Sequence, residues 1–211
     1  MRSSAASAAS RPGWQSRVRA SLIPLARWLA ARGVTANSLT IAGVVLNAGV
    51  AATIAAGWFP WSGLLLLVAN ALDLLDGAVA RASGRATPFG AFLDSTLDRY
   101  AEAVVFVGLV AYFAGQDQLR AELLSVVALT GSLMVSYTRA RAEGLGLHGE
   151  VGWFPRPARI VVLAGGLALA GIPALAGALE AAVALLAVFT NLTAFQRGRY
   201  VWQQLRQHER R

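Results

Sequence analysis

Residues 73–98 read DLLDGAVARASGRATPFGAFLDSTLD, and four aspartates stand in them at regular spacing. Asp73 and Asp76 are three residues apart, Asp94 and Asp98 four apart, and either spacing puts a pair on one helix face. Between the pairs, Gly84, Pro88 and Gly90 suit a tight reversal between antiparallel helices. The two acidic faces are therefore expected to converge on one small volume. Converging carboxylates repel each other unless cations neutralise them, and hard divalent ions with oxygen ligands, Mg²⁺ or Mn²⁺, are the natural partners. The plainer alternative is a set of solvated helix-end aspartates paired with Arg81, Arg85 and Arg99. It carries less weight, because ionisable groups flanked by lipid-grade apolar runs mark functional sites.

The elements that must position these residues are membrane helices. Of 211 residues, 56% are hydrophobic and 14% charged, with mean hydropathy above zero, unlike a soluble domain of this length. A membrane-spanning helix needs about 20 mostly apolar residues. Runs of that kind fall at roughly 38–57, 61–82, 90–115, 118–142, 156–173 and 174–205. The predicted fold is all-α and integral to the membrane, with six transmembrane helices. Ahead of them, residues 13–33 interleave Val18, Leu22, Ile23, Leu25 and Leu29 with Arg17, Arg19, Arg27 and Arg32. That pattern predicts an amphipathic interfacial helix on an anionic leaflet. The expected organisation is a disordered tail over 1–12, the juxtamembrane helix over 13–33, a six-helix domain over 34–207 and a short tail over 208–211.

There are no cysteines, which excludes disulfides and thiolate metal sites, and two histidines, expected on the surface. All 19 basic residues are arginine and the net charge is +8. The arginines flank apolar spans, so headgroups and phosphorylated substrates are the expected partners, with no nucleic acid. In a six-span arrangement every arginine but Arg120 falls on one side. The positive-inside rule then puts both termini, and the acidic cluster with them, in the cytoplasm.

Written in full, the acidic pattern is Asp73-x2-Asp76-Gly77-x2-Ala80-Arg81-x8-Gly90-x3-Asp94-x3-Asp98. It resembles the signature of the CDP-alcohol phosphotransferase family, with every fixed position filled. The resemblance implies transfer of a phosphatidyl-type group from a CDP-linked lipid to an alcohol, with release of CMP. It implies two metal ions held by Asp73, Asp76, Asp94 and Asp98, with Asp98 accepting the alcohol proton. Gly77 and Ala80 would let the cytidine nucleotide approach the helix, and Arg81 would hold a phosphate oxygen. Asn37 and Thr40 match positions that touch the diphosphate or nucleotide in relatives, or else form an N-cap pair.

The acceptor must be read from other residues. Arg139, Arg141, Arg156, Arg159, Arg197 and Arg199 all lie at helix ends on the side of the aspartates, though positive-inside anchoring accounts for some of them. An acceptor that is itself a phosphate monoester would use such a cluster, as inositol 1-phosphate or glycerol 3-phosphate would. The run Ser136-Tyr137-x-Arg139-Ala140-Arg141-Ala142-Glu143, then Arg156-Pro157-x-Arg159 and Gln196-Arg197, is similar to actinobacterial phosphatidylinositol phosphate synthases. That similarity implies that Arg139, Arg159 and Arg197 bind the phosphate of inositol 1-phosphate, with CDP-diacylglycerol as donor, in a bacterial cytoplasmic membrane. Arginine at 139 replaces the family's usual lysine, and Pro155 and Ala158 stand where acidic residues are common. Arg141 and Arg156 are open between acceptor binding and structural pairing with Glu143 or Glu150. The competing expectations are glycerol 3-phosphate as acceptor, an intramembrane prenyltransferase and a non-catalytic scaffold. The family's homodimeric habit is a further expectation, and Gly43, Gly49, Gly165 and Gly166 would permit close helix contact.

Overall fold

A computed structural model of the chain describes residues 13–84, 86–149 and 151–209. The expected tail over 1–12, Arg85, Glu150 and the last two residues lie outside the described residues. So do the side chains of Arg17, Val18 and Arg19.

The described residues form seven α-helices and one short 3₁₀ turn, with no strand among them. They are α1 (Gly13–Ala31), α2 (Ala36–Ala55), α3 (Phe59–Ala82), α4 (Pro88–Ala114), α5 (Leu119–Gly144), α6 (Arg156–Ala170) and α7 (Ala178–Glu209). The 3₁₀ turn, Pro173–Leu175, lies between α6 and α7. Helix starts are written locally. Thr35 Oγ1 accepts from Ser38 N at 3.1 Å while Ser38 Oγ accepts from Thr35 N at 3.2 Å, a reciprocal cap for α2. Thr87 Oγ1 accepts from Gly90 N at 3.0 Å, just ahead of Pro88 in the first turn of α4. The ends of α2, α4 and α5 follow one rule. At Gly57 and Gly146 the backbone turns left-handed (φ +76° and +74°), and the next residue's N–H closes the last turn. Asp117, at φ +55°, does the same after α4 without a glycine.

Six helices follow α1, close to the six expected runs. Four of the segments, those of α2, α3, α5 and Pro173–Gln207, are long and apolar enough to cross a membrane. Two differ for identifiable reasons. The first fifteen residues of α4 carry Asp94, Asp98, Arg99 and Glu102, and α6 has only 15 residues. At about 1.5 Å per residue α7 is about 48 Å long, more than a hydrocarbon core of about 30 Å.

The chain divides into two compact units. In the first, Met1–Val44 with Ala69–Leu97, α1 packs the fully buried Ala26 against Ala78 and Val79 of α3, with Leu29, Ala30 and Leu39 around them. Its other side exposes Ile23, Leu25 and Trp28, and the Arg32 guanidinium lies 3.4 Å from the Trp28 ring centroid.

In the second unit, Val45–Val68 with Asp98–Arg211, the core joins Val50, Ile54, Leu109, Phe113, Leu167 and Val183. Close backbone approach sets its crossings. A Cβ on Gly108 would lie 2.6 Å from both Cα and O of Ala51. Asn191 Nδ2 of α7 donates to Val127 O of α5 at 3.1 Å, next to Gly131, where a Cβ would collide with Thr190. Arg120, the one arginine expected on the far side, is 3.6 Å from Glu180, the acidic residue in the first turn of α7.

Two neighbouring glycines in α6 have opposite surroundings. A Cβ on Gly166 would collide with Ala182 Cβ of α7, whereas one on Gly165 meets nothing within 4 Å. Gly166→Ala is expected to cost about 1–3 kcal/mol by overpacking, and Gly165→Ala to cost nothing. Thermal unfolding of both variants in detergent measures the contrast; equal effects would contradict this packing.

Candidate active site

In the first unit, three helix segments build one cleft of about 190 Å³. The start of α2 contributes Asn37 and Thr40, the end of α3 Asp76, Gly77, Ala80 and Arg81, and the start of α4 Gly90 and Asp94. Seven of the residues expected to serve the donor or the metal thus line one wall system. Asp73 joins them through its carboxylate. Asp73, Asp76 and Asp94 each offer an oxygen within 4.8 Å of the others. Ligation by Mg²⁺ or Mn²⁺ at about 2.1 Å spans such a group after a small closing movement. The donor set, all carboxylate and without nitrogen or sulfur, fits a hard divalent ion.

Asp76 is held before any ion is considered. It is 4% exposed, and the buried Thr40 hydroxyl donates to its Oδ2 at 2.8 Å. Thr35 and Ser38 cap α2, and Thr40 faces the aspartate. A Cβ on Gly90 would lie 3.1 Å from the Thr87 hydroxyl that caps α4 and in ordinary contact, at 3.5 Å, with Asn37 Oδ1. Gly77 also lines the cleft. The Arg81 guanidinium lies along its own helix, with Nη1 3.3 Å from where a Gly77 Cβ would be. Arg81 is exposed and Ala80 half-buried.

The fourth aspartate belongs to the second unit. Both oxygens of Asp98 accept from Arg156, Oδ2 from Nη1 at 2.5 Å and Oδ1 from Nη2 at 3.1 Å, in the bidentate fork typical of arginine. Arg99 Nη2 is 3.4 Å from Oδ2, and another nitrogen of Arg99 donates to Ser136 Oγ. Arg156 therefore pairs with Asp98. Glu143, the other expected partner of Arg141 or Arg156, instead takes Arg139 Nε at 2.8 Å. Spacing explains the choice, since residues 139 and 143 share a helix face and 141 and 143 do not.

The three expected acceptor arginines have different surroundings. Arg139 is half-exposed beside Glu143. Arg159 is buried, and its Nη1 meets Glu102 Oε1 at 3.1 Å and Ser132 Oγ at 2.7 Å. Arg197 is buried too, donating from Nε to Val151 O at 2.6 Å and from Nη1 to Val135 O at 2.7 Å. It ties the connection between α5 and α6 to α5 and α7. Gly152, at φ +130°, fits there because a Cβ would collide with Thr193. Glu102 and Ser132 were not singled out from the sequence, and Ser136 entered only as the first residue of the run around Arg139. The available signal for Glu102 was its place four residues after Asp98, on the same face of α4. His148 is exposed, as expected.

Known proteins resemble this chain in sequence and in fold. A family model described as CDP-alcohol phosphatidyltransferase matches residues 33–193. The archaetidylinositol phosphate synthase of Methanothermobacter thermautotrophicus is 40% identical over 171 residues, covering 81% of this chain and 85% of its own. The phosphatidylinositol phosphate synthase of Mycobacteroides abscessus is 36% identical, covering 82% and 80%. The crystal structure of the Mycobacterium tuberculosis phosphatidylinositol phosphate synthase with CDP-DAG bound superposes with a TM-score of 0.80 at 33% identity, covering 86% and 93%. The same enzyme in complex with manganese and citrate gives 0.79 at 34%, covering 86% and 88%. With the motif complete, the carboxylates gathered beside one cleft and the match running through most of its length, this chain belongs to the CDP-alcohol phosphatidyltransferase family.

Proposed function

We propose that the chain transfers a phosphatidyl group from CDP-diacylglycerol to inositol 1-phosphate, yielding phosphatidylinositol phosphate and CMP. The observation that carries this is the gathering of Asp73, Asp76 and Asp94 beside the cleft that Asn37, Gly77 and Arg81 line. The acceptor is supported by the names of the relatives and by the arginines of α5, α6 and α7.

In the reaction the acceptor hydroxyl oxygen forms a bond to the lipid-side phosphorus, and the bond from that phosphorus to the CMP oxygen breaks. Asp73, Asp76, Asp94 and Asp98 would hold two divalent ions, Mg²⁺ or Mn²⁺, which when bound would supply positive charge to stabilise the charge that builds up during transfer. Arg81 binds the diphosphate as a planar cation, and Gly77 and Ala80 leave room for the nucleotide. Asn37 contributes a polar contact at the opposite wall. Asp98 follows Asp94 by one turn of the same helix and takes the hydroxyl proton, its carboxylate oriented by Arg156. Arg139, Arg159 and Arg197 hold the acceptor phosphate. The Arg139–Glu143 pair is exposed and of the i,i+4 type, worth about 0.3–0.5 kcal/mol, so a phosphate can displace it.

In this account α2 to α7 all cross the bacterial cytoplasmic membrane, the charged start of α4 and the arginine-bearing helix ends project into the cytoplasm, and α1 lies in the interface. Both termini are cytoplasmic, and two copies form the working enzyme. The likeness to an archaetidylinositol phosphate synthase supports a second donor, a CDP-linked isoprenoid ether lipid, which would use the same headgroup contacts.

Three outcomes follow. Purified protein with CDP-diacylglycerol and Mg²⁺ is expected to release CMP with inositol 1-phosphate and not with free inositol, glycerol 3-phosphate or serine. Turnover with glycerol 3-phosphate alone would replace the acceptor and keep the aspartate chemistry. Asp98→Asn is expected to lower kcat by about 10²-fold or more while Mn²⁺ is still held through Asp73, Asp76 and Asp94; near-normal turnover would remove Asp98 as the base. Thr40→Val removes the Thr40 hydrogen bond to Asp76 Oδ2, and a loss of about tenfold in activity with an unchanged KM for the acceptor is expected. An unchanged rate would show that Thr40 does not position Asp76.

A further inference from the structure

Asp98 and Glu102 lie four residues apart on α4, and Arg156 and Arg159 three apart on α6. Their side chains meet as two rungs, Asp98 with Arg156 and Glu102 with Arg159. The first rung is partly open to solvent, with side chains 15% and 29% exposed. The second is deeper, at 14% for Glu102 and 6% for Arg159. Position within the ladder separates the two roles, since Asp98 is spoken for by the chemistry and Glu102 is not.

Arg159 makes its described contacts through Nη1. That nitrogen donates to Ser132 Oγ at 2.7 Å, lies 3.3 Å from Ser132 O, and pairs with Glu102 Oε1 at 3.1 Å. Nε of Arg159 and Oε2 of Glu102 are buried without a hydrogen-bond partner among the described residues. The guanidinium is thus gripped at one end only, by one carboxylate and one hydroxyl. A buried arginine has a strong requirement for a counter-charge, and Glu102 is the carboxylate the structure gives it. With that charge removed, the guanidinium would move toward water or toward the Asp98 carboxylate one turn away along α4. In either place it would cease to face the acceptor.

We infer that Glu102 is a positioning residue of the acceptor site: it fixes Arg159 through Nη1 so that the remainder of the guanidinium can receive the acceptor's phosphate. This depends on the acceptor role given to Arg159 above. Ser132 is the neutral half of the same grip, and Glu102 the charged half. The role differs from that of Arg156, whose partner is Asp98.

The test compares Glu102→Gln, Glu102→Asp, Arg159→Ala and the double variant Glu102→Gln/Arg159→Ala, with KM measured separately for inositol 1-phosphate and CDP-diacylglycerol. Direct calorimetric titration with inositol 1-phosphate supplies a readout independent of turnover. Glu102→Gln is expected to raise the acceptor KM and Kd by about tenfold, with the donor KM unchanged. In the Arg159→Ala background the same change is expected to add less than about twofold, because the residues act through one another. Glu102→Asp keeps the charge and is expected to fall between, which also provides a measurable protein should Glu102→Gln fail to fold. An acceptor KM unchanged in Glu102→Gln but raised in Arg159→Ala overturns the role of Glu102 alone. A tighter Kd for the acceptor would make Glu102 a competitor of the phosphate and overturn it too. No effect of Arg159→Ala on the acceptor would defeat the acceptor assignment of Arg159, and this inference with it.

Discussion

Mutual repulsion among carboxylates is the constraint around which this structure is arranged. Three oxygens from Asp73, Asp76 and Asp94 lie within 4.8 Å of one another. At an effective dielectric of about 20, two unit charges that far apart repel by about 3.5 kcal/mol. A chain that only needed polar helix ends would let them splay into water. Here each is fixed by the geometry of its helix, and Asp76 is additionally held by the buried Thr40 hydroxyl. The capping of α2 by Thr35 and Ser38, the Thr87–Pro88 start of α4 and the missing Cβ at Gly90 all serve that approach. A divalent cation among the three carboxylates would neutralise that charge, and an all-carboxylate donor set fits one.

Much of this was legible in the sequence because its causes are local. The spacings 73/76 and 94/98 depend only on helical periodicity, and the break at 84–90 only on turn chemistry. Helix positions followed from apolar run length to within a few residues. The partners of the arginines were not legible, since they depend on which helices pack together. Arg156 meets Asp98, 58 residues away, and Arg197 spends two donors on Val151 and Val135 carbonyls. Apolar periodicity contains nothing about such pairings. Nor does it distinguish Gly165 from Gly166, adjacent residues of which only one faces α7 closely.

Charge distribution also accounts for where the apolar pattern weakens. α4 carries the acidic face that pairs with α6, so its first half cannot read as a simple span. α6 opens with Pro155-Arg156-Pro157, and it begins with the arginines that α4 requires. Arg120, the exception to the one-sided arginine pattern, has Glu180 beside it. In each place a local departure from the membrane-helix pattern coincides with a specific ionic partner.

Anomalous diffraction from crystals of the protein grown with Mn²⁺ tests the central claim most directly. Manganese is expected between the carboxylates of Asp73, Asp76 and Asp94, as two ions about 4 Å apart, and to be lost in Asp94→Asn. Manganese bound elsewhere, or no manganese with the three carboxylates still gathered, would contradict the account.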